Sequence, residues 1–526
     1  MVAAAATRSV RTGILASRVT GVLLLGLVLL TIVVPRFTAI PYDRVGAVAS
    51  YVGLLVLAVL VGRWGRPVPE ALARRLALPL GALCTAAAGF VGYASYYVTT
   101  WDSKLIQNIV SQPRDAITPL QVAYLSRYPN NDLLLALARQ ARRLGDALGL
   151  GYGTAFLAIQ VVCFAIALFG VHLLTARLAG HAAALAAMLL FTALIGLSPW
   201  MAVPYTDIPS MWATVWAVYC FVRSHRSDRW TSAVAWAAGG GAVLALGFAL
   251  KVTPVAVLVA GALWFVALAV LRGSRASWGR SGLQLAGVVA GVVVAALVSG
   301  PVVTRLADPP RTTPGVAASS WHYVAAGLRT QVGPNHNLVF GGYDRPVNSS
   351  TSGRPTDVQT RISQRFIRDE LKRRGVAGVV LFEVNKLDFN WGDGMFWVYG
   401  EGTDLSRRPV HRAAPYELVQ SWNSPDGRLF DARVAITQGL WWFVLTLVGV
   451  GWLRGRVTAE SLLVLASLVG VAAFTLLFQG RSRYLITYLP LVAVAATWWW
   501  RDAWSRWGAP GRGAGRLRSP ERALRP

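Results

Sequence analysis

The chain is 526 residues long, with 55% hydrophobic and only 14% charged residues, against roughly 25% charged in a soluble globular protein. That composition excludes an ordinary soluble enzyme, a disordered chain and a disulfide-stapled secreted module, and points to a polytopic membrane protein. The 51 basic and 24 acidic residues give a net charge of +27, and where that charge sits decides between nucleic acid and membrane as its partner.

A membrane-crossing helix needs about 20 mostly apolar residues. In chain order, about twelve such runs stand out: 17–36, 44–63, 78–98, 153–175, 181–199, 207–223, 231–250, 254–271, 282–303, 435–453, 460–478 and 484–500. No A-x-A-like cleavage site follows the first run, which reads as a retained signal anchor. With the N-terminus in the cytoplasm, the inner loops collect Arg8, Arg11 and Arg18; Arg63, Arg66, Arg74 and Arg75; Arg177; Arg223, Arg226 and Arg229; Arg272, Arg275 and Arg280; and Arg454 and Arg456. A Gly- and Pro-rich tail adds Arg501, Arg506, Arg512, Arg516, Arg518, Arg522 and Arg525. This is the positive-inside pattern, with both termini cytoplasmic. Loop 99–152 departs from it, although four aspartates offset its basic residues. Anionic head groups and the insertion machinery account for charge divided in this way, so nucleic acid is not expected as a partner. Cys84, Cys163 and Cys220 fall in apolar runs with no CxxC pair, which argues against a disulfide framework or a cysteine metal site.

The runs divide the chain into four parts. Residues 1–303 form a module of about nine transmembrane helices that includes the exterior loop 99–152. An extracytoplasmic segment, 304–434, follows, then three helices in 435–500 and the basic cytoplasmic tail 501–526. Loops longer than about 15 residues are usually functional, and both long polar segments fall on the exterior face.

The first segment opens with Tyr93, Tyr96, Tyr97 and Trp101, an interfacial aromatic belt, then Asp102. A carboxylate at the end of a span is costly without a partner or a watery cavity. Asp102 can cap the amphipathic helix SKLIQNIV that follows, and capping does not exclude catalysis. Next comes Ser126–Asp132, with Pro129 setting a turn and Asn130 and Asn131 able to bond backbone or a polar ligand. The periodic LLLALARQARRLGDAL after it reads as an interfacial helix. In the stiff turn Ser198–Pro209, Asp207 stands at the start of the next span, as an N-cap or a site residue. Lys251 occupies the following exterior turn, where a lone lysine can snorkel. The 304–434 segment offers Trp321-His322, Gly341–Asp344, Lys386, Trp391–Gly394 with Asp393, and a basic amphipathic helix at 357–374. His322 by itself reads as structural. No GxGxxG in a βαβ unit, HExxH, GxSxG or Walker A is present. Before the last run stand Arg481 and Arg483, which can anchor at the interface or grip a lipid phosphate through two parallel hydrogen bonds.

Together these residues resemble the GT-C superfamily of integral membrane glycosyltransferases, closest to a Gram-positive bacterial subset. The resemblance rests on Trp101-Asp102, SRYPNN (Ser126–Asn131), PYTD (Pro204–Asp207), Lys251, WHYVAAGL (Trp321–Leu328) with GGYD (Gly341–Asp344), WGDG (Trp391–Gly394) and GRSRYL (Gly480–Leu485). It covers most of the chain in order and spacing. It implies an all-α, GT-C-like polytopic fold of about 12 transmembrane helices with two large extracytoplasmic loops. It also implies inverting transfer of a sugar from a polyprenyl-phosphate donor to an envelope glycan, lipid or protein, with membrane lipids as the surroundings. A hydroxyl nucleophile needs a base, and the resemblance assigns that role to Asp102. Arg481, Arg483 and Lys251 would meet the charge on the leaving phosphate. Tyr128, Asn130, Asn131, Asp207, Trp321, His322 and Asp393 would orient sugar and acceptor. A divalent cation, Mg or Mn, is the one cofactor the resemblance allows, but Asp102 is followed by Ser103 and Lys104 rather than by further acids. The rival readings are a transporter or lipid-linked-saccharide flippase, and a non-catalytic scaffold. A transporter tends to place ionisable groups mid-span, whereas here they gather at one face.

Overall fold

The computed structural model describes residues 2–35, 40–65, 68–333, 337–400, 409–411, 413–455 and 457–499, with side chains from residue 12 onward. The basic tail 501–526, Arg66, Arg456 and the side chains of Arg8 and Arg11 lie outside the described residues. The helices are α1 (Val2–Val33), α2 (Arg44–Trp64), α3 (Glu70–Ala94), α4 (Asp102–Val110), α5 (Pro119–Arg127), α6 (Asp132–Leu148), α7 (Tyr152–Ala179), α8 (His181–Phe191), α9 (Asp207–His225), α10 (Trp230–Leu250), α11 (Val255–Arg272) and α12 (Arg275–Ala307). They continue with α13 (Ser320–Gly327), a hairpin of β1 (Thr330–Val332) and β2 (Leu338–Phe340), α14 (Arg345–Thr351), α15 (Thr356–Trp391), α16 (Ala414–Asn423), α17 (Phe430–Arg454), α18 (Ala459–Leu477) and α19 (Leu489–Thr497). The strands pair antiparallel, with Gln331 opposite Val339.

Among the described residues, nine helices are long and apolar enough to cross a membrane: α1 from Thr12, α2, α3, α7, α10, α11, α12, α17 and α18. The other three apolar runs behave differently. Run 181–199 is α8 continued by a π-turn over Thr192–Gly196. Run 207–223 lies in α9, which is buried on nearly every face and carries Ser210 and Thr214 bonded to Thr487. Run 484–500 begins as a 3-10 helix, Ser482–Tyr488, and continues as the short, buried α19. α9 and α19 fill the interior of the bundle, where hydroxyls find partners, so they need neither the length nor the uniform apolarity of a lipid-facing span.

Helix ends also depart from the hydropathy boundaries, because caps set them. Ser274 and Ser277 form a capping box at the start of α12, and α3 starts at Glu70, placing Arg74 and Arg75 inside a helix rather than a loop. Small residues draw α10 onto α12: a β-carbon on Gly291 would lie 1.9 Å from the Ala238 carbonyl oxygen, and one on Gly241 2.2 Å from that of Val288. The expected basic helix 357–374 is the first half of α15. The chain breaks at Gly375 (φ 62°, ψ −179°) and resumes as a second helical stretch to Trp391.

The alternating direction of the helices brings 95–151, 197–206, 251–254, 308–333, 337–400, 413–429 and 478–483 to one end of the bundle. Cross-contacts bind them there. Arg114 pairs with Asp308 at 3.2 Å, Arg139 donates to the Asp308 carbonyl at 3.1 Å, and Ser103 donates to the Pro204 carbonyl at 3.0 Å. A small core of Leu328, Val339, Phe340, Phe382, Phe389 and Trp397 seats the hairpin and α15 on that end.

Candidate functional site

Asp102 begins α4, but Trp101 is the cap residue and the Asp102 side chain makes no capping bond. Capping, one of the two roles open to Asp102, is not what its side chain does. The carboxylate instead accepts the Tyr205 hydroxyl at 3.3 Å, and the Trp101 and Tyr205 rings meet edge-on at 4.4 Å. Asp102 sits deep yet keeps part of its surface open, as a group in the wall of a recess does. Burial pushes its carboxyl above the ordinary range, and Arg483, the Tyr205 bond, Arg481 and a Tyr124 bond pull back against that rise.

Arg481 ends the loop between α18 and the 3-10 helix, and Arg483 stands in the first turn of that 3-10 helix. Gln479 N–H donates to the Tyr323 carbonyl at 2.8 Å and Gly480 N–H to that of Gly341 at 2.9 Å. Both guanidiniums are buried. Arg483 lies 4.7 Å above the Trp101 ring and 5.4 Å from Tyr205, and Arg481 lies 5.3 Å from Trp397. Lys251 does not snorkel. It is buried in an ion pair with Asp207, itself 1% exposed, and its ammonium also reaches the Arg483 carbonyl at 3.4 Å. Thr206, not Asp207, is the cap residue of α9. The buried pair thus stands behind Arg483 as its support, and the Asp207 and Asp102 charges both face that guanidinium.

SRYPNN folds as the end of α5 and a 3-10 turn over Pro129–Asn131, with Asn131 as the cap residue of α6. Asn131 is buried and donates to the Tyr124 hydroxyl at 2.8 Å, so it steadies a phenol beside Asp102. Tyr128 stands 5.1 Å from Tyr124. Its hydroxyl accepts from Arg127 at 3.2 Å and donates to Asn348 at 3.4 Å. Arg127 also donates to Thr351 at 2.8 Å and thereby ties α5 to α14. His322 is buried with Nδ1 3.1 Å from the Thr351 hydroxyl. Burial, then the Arg127 charge, holds its imidazole down at about 4, so it is neutral at physiological pH. Trp321 is 43% exposed and is not brought into this cluster.

Asp393 takes three internal donors: Met395 N–H at 2.9 Å, Trp397 N–H at 2.6 Å and the Ser482 hydroxyl at 2.6 Å. It thereby joins a buried turn, in which Phe396, Trp397 and Tyr399 all have positive φ, to the residue between the two arginines. Such strain persists only where the surroundings over-determine it. Replacing Asp393 by alanine leaves those donors unsatisfied and is expected to destabilise the protein by about 3 kcal/mol, seen as a lower unfolding midpoint in mild detergent. An unchanged midpoint would mean that the turn holds without its carboxylate.

Asn130 is exposed and, with Pro129 and Asp132, lines one end of a cavity of about 500 Å³ between α10, α11 and α12. The rest of its wall is mostly apolar, including Leu244, Phe248, Leu258, Val292 and Val303. The groups that sequence reasoning missed are Tyr124, Tyr205, Tyr323, Tyr484 and Arg127. Arg127, Tyr205, Tyr323 and Tyr484 stand inside the motifs SRYPNN, PYTD, WHYVAAGL and GRSRYL without having been singled out, and Tyr124 lies four residues before Tyr128, on the same helical face.

A divalent cation needs several oxygen ligands. Among the described residues, no group of three His, Cys, Asp or Glu side chains gathers to hold one, and phenols and guanidiniums surround Asp102. These residues do not fit Mg or Mn.

The fold and this recess define an all-α polytopic membrane protein with an acid, two arginines and a tyrosine cluster at one end of its bundle. The chain belongs to the family described as conserved hypothetical integral membrane protein, whose model matches residues 82–504. Among solved structures it is similar to ArnT from Cupriavidus metallidurans in the apo state, at 11% identity and a TM-score of 0.29, over 80% of this chain and 77% of that one. A likeness this loose places no residue. No curated protein matches the sequence.

Proposed function

We propose that the protein is an inverting glycosyltransferase that moves a sugar from a polyprenyl-phosphate donor to a cell-envelope acceptor at the outer face of the membrane. The observation that carries this reading is the Asp102 carboxylate held beside Tyr205 while facing Arg483 and Arg481. An acceptor hydroxyl is a weak nucleophile until a base takes its proton, and Asp102 is that base. As the acceptor oxygen bonds to the anomeric carbon, the bond from that carbon to the phosphate oxygen breaks and the proton passes to Asp102. Charge then grows on the departing polyprenyl phosphate, where Arg483 and Arg481 stabilise it as preorganised donors. A carboxyl raised by burial is the better base. One base and no covalent sugar intermediate give inversion, unlike the paired-carboxylate scheme of retaining hydrolases.

In this scheme the tyrosines hold sugar and acceptor, and Trp321, outside the cluster, has no part. Asn131 and His322 position phenols and the α14 contact, Asp207 and Lys251 support Arg483, and Asp393 sets the arginine loop. The isoprenoid tail lies in the apolar cavity with Asn130 at its mouth. Ala245, which lines that cavity, offers a test. Ala245→Trp displaces two methylene groups of tail at about 0.8 kcal/mol each, roughly tenfold in affinity. The expected result is a KM raised for a long-chain donor and unchanged for a short-chain analogue. Equal KM values for both would put the tail elsewhere.

The reading as a whole is tested with protein in sealed proteoliposomes, a radiolabelled decaprenyl-phosphate sugar and a membrane-glycan acceptor fraction. Labelled product and free decaprenyl phosphate should appear together. Movement of intact donor across vesicles without product would support the flippase instead.

A further inference from the structure

The end of α18 leads directly into the arginine loop, and one buried ammonium sits on it. Lys386, fully buried on the second stretch of α15, donates to the carbonyl oxygens of Leu476 at 2.5 Å and Phe478 at 2.9 Å. A helix leaves its last carbonyls without intrahelical partners, and its dipole favours a cation there. The surrounding chain is fitted to this lysine. Gly341, at φ 69°, lies so close that a β-carbon would stand 2.4 Å from Lys386 Cε and 2.7 Å from the Gly327 carbonyl oxygen. The Gly341 carbonyl in turn takes the Gly480 N–H at 2.9 Å, and Arg481 is the next residue.

We propose that Lys386 is a positioning residue for the leaving phosphate: its charge holds the end of α18 and thereby sets the loop that carries Arg481 and leads into Arg483. The role of those arginines rests on the donor reading above, whereas the clamp is independent of it. Charge-assisted hydrogen bonds are about twice as strong as neutral ones, so a neutral amine at this position grips the two carbonyls less well.

The charged groups around Lys386 are few. Glu383 faces it from the same helix, and Arg374 lies across the Phe382 ring, 4.1 Å from its centroid. Residues 472–478 and 338–342, which pack on it, contain no ionisable side chain. Arg481 lies on the loop that it holds, and Arg483 in the 3-10 turn that follows. Burial draws the Lys386 ammonium down to about 8, with Glu383 opposing. The clamp is thus charged below that pH and neutralised as pH rises through it. An unfolded lysine titrates near 10.4, so the unfolded chain binds more protons between the two values and global stability rises over that window. Loop order and global stability therefore move in opposite directions.

The test uses the full-length protein in nanodiscs at about pH 7 and about pH 9. It reads three quantities: hydrogen exchange of the peptide 476–485, corrected for intrinsic rate; affinity for decaprenyl phosphate; and the thermal midpoint. In the wild type, loop protection and decaprenyl phosphate affinity should each fall about tenfold between the two pH values, as the charged fraction of Lys386 does, while the midpoint holds or rises. Lys386→Arg should keep protection at both pH values, and Lys386→Met should show the loosened loop already at the lower one. Wild-type protection that does not change with pH, or a Lys386→Met protein with wild-type protection and affinity, would overturn the clamp. A loop that switches as described in a protein that binds no decaprenyl phosphate at either pH would uphold the clamp and overturn the donor reading.

Discussion

Asp102→Asn is expected to slow sugar transfer by about 10²- to 10⁴-fold, the range lost when a general base is removed, while folding and donor binding are kept. Asparagine matches the shape of aspartate and can still accept from Tyr205 at the position where the carboxylate does so at 3.3 Å, but it cannot take a proton. The pH dependence sharpens the expectation. Because burial raises the Asp102 carboxyl, the base is protonated and inactive at low pH and becomes competent as pH rises through a value above the ordinary 3.9 or so. The wild-type rate should climb on an acid limb displaced upward, and the residual rate of the Asp102→Asn variant should lack that limb. Initial rates over a pH series with a polyprenyl-phosphate sugar measure both. Full activity in the variant would remove Asp102 from the mechanism.

The second large effect is expected at Arg483. Its guanidinium is buried, stacks over Trp101 and faces Asp102 and Asp207. Arg483→Ala deletes the cation nearest the base and leaves the two acids less well compensated. Loss of one preorganised donor costs about 10²- to 10³-fold in rate, so kcat/KM should fall by at least that much. Arg483→Lys should recover part of the loss, since it restores the charge but not the planar fork that binds phosphate with two parallel bonds. Arg481→Ala should likewise weaken donor use far more than it lowers expression. Expression and activity falling in equal proportion would mark the arginines as structural anchors.

Much of the site was legible because ionisable groups at the ends of apolar runs are costly. Asp102, Asp207, Lys251, Arg481 and Arg483 stand out for that reason alone, and the structure brings them together. The tyrosines did not stand out, since aromatics at span ends are ordinary interfacial residues. Tyr124 and Tyr205 acquire meaning only through their bonds to Asn131 and Asp102. Asp393 was named only through the resemblance, as a group that orients sugar or acceptor; its carboxylate is taken up by Met395, Trp397 and Ser482, partners that no local pattern announces.

What the sequence alone determined was membrane class, the apolar runs and the amphipathic character of α4 and α6, because hydropathy and helical period act over one or two turns of chain. It could not separate lipid-facing spans from interior elements such as α9 and α19, since both are apolar and the difference lies in what surrounds them. Tertiary structure alone decided that Lys251 pairs with Asp207, that Arg127 reaches Thr351, 224 residues away, and that Lys386 closes the end of α18. Each of those contacts joins a cation to a partner chosen by helix packing, and packing depends on every neighbouring side chain at once rather than on any local pattern.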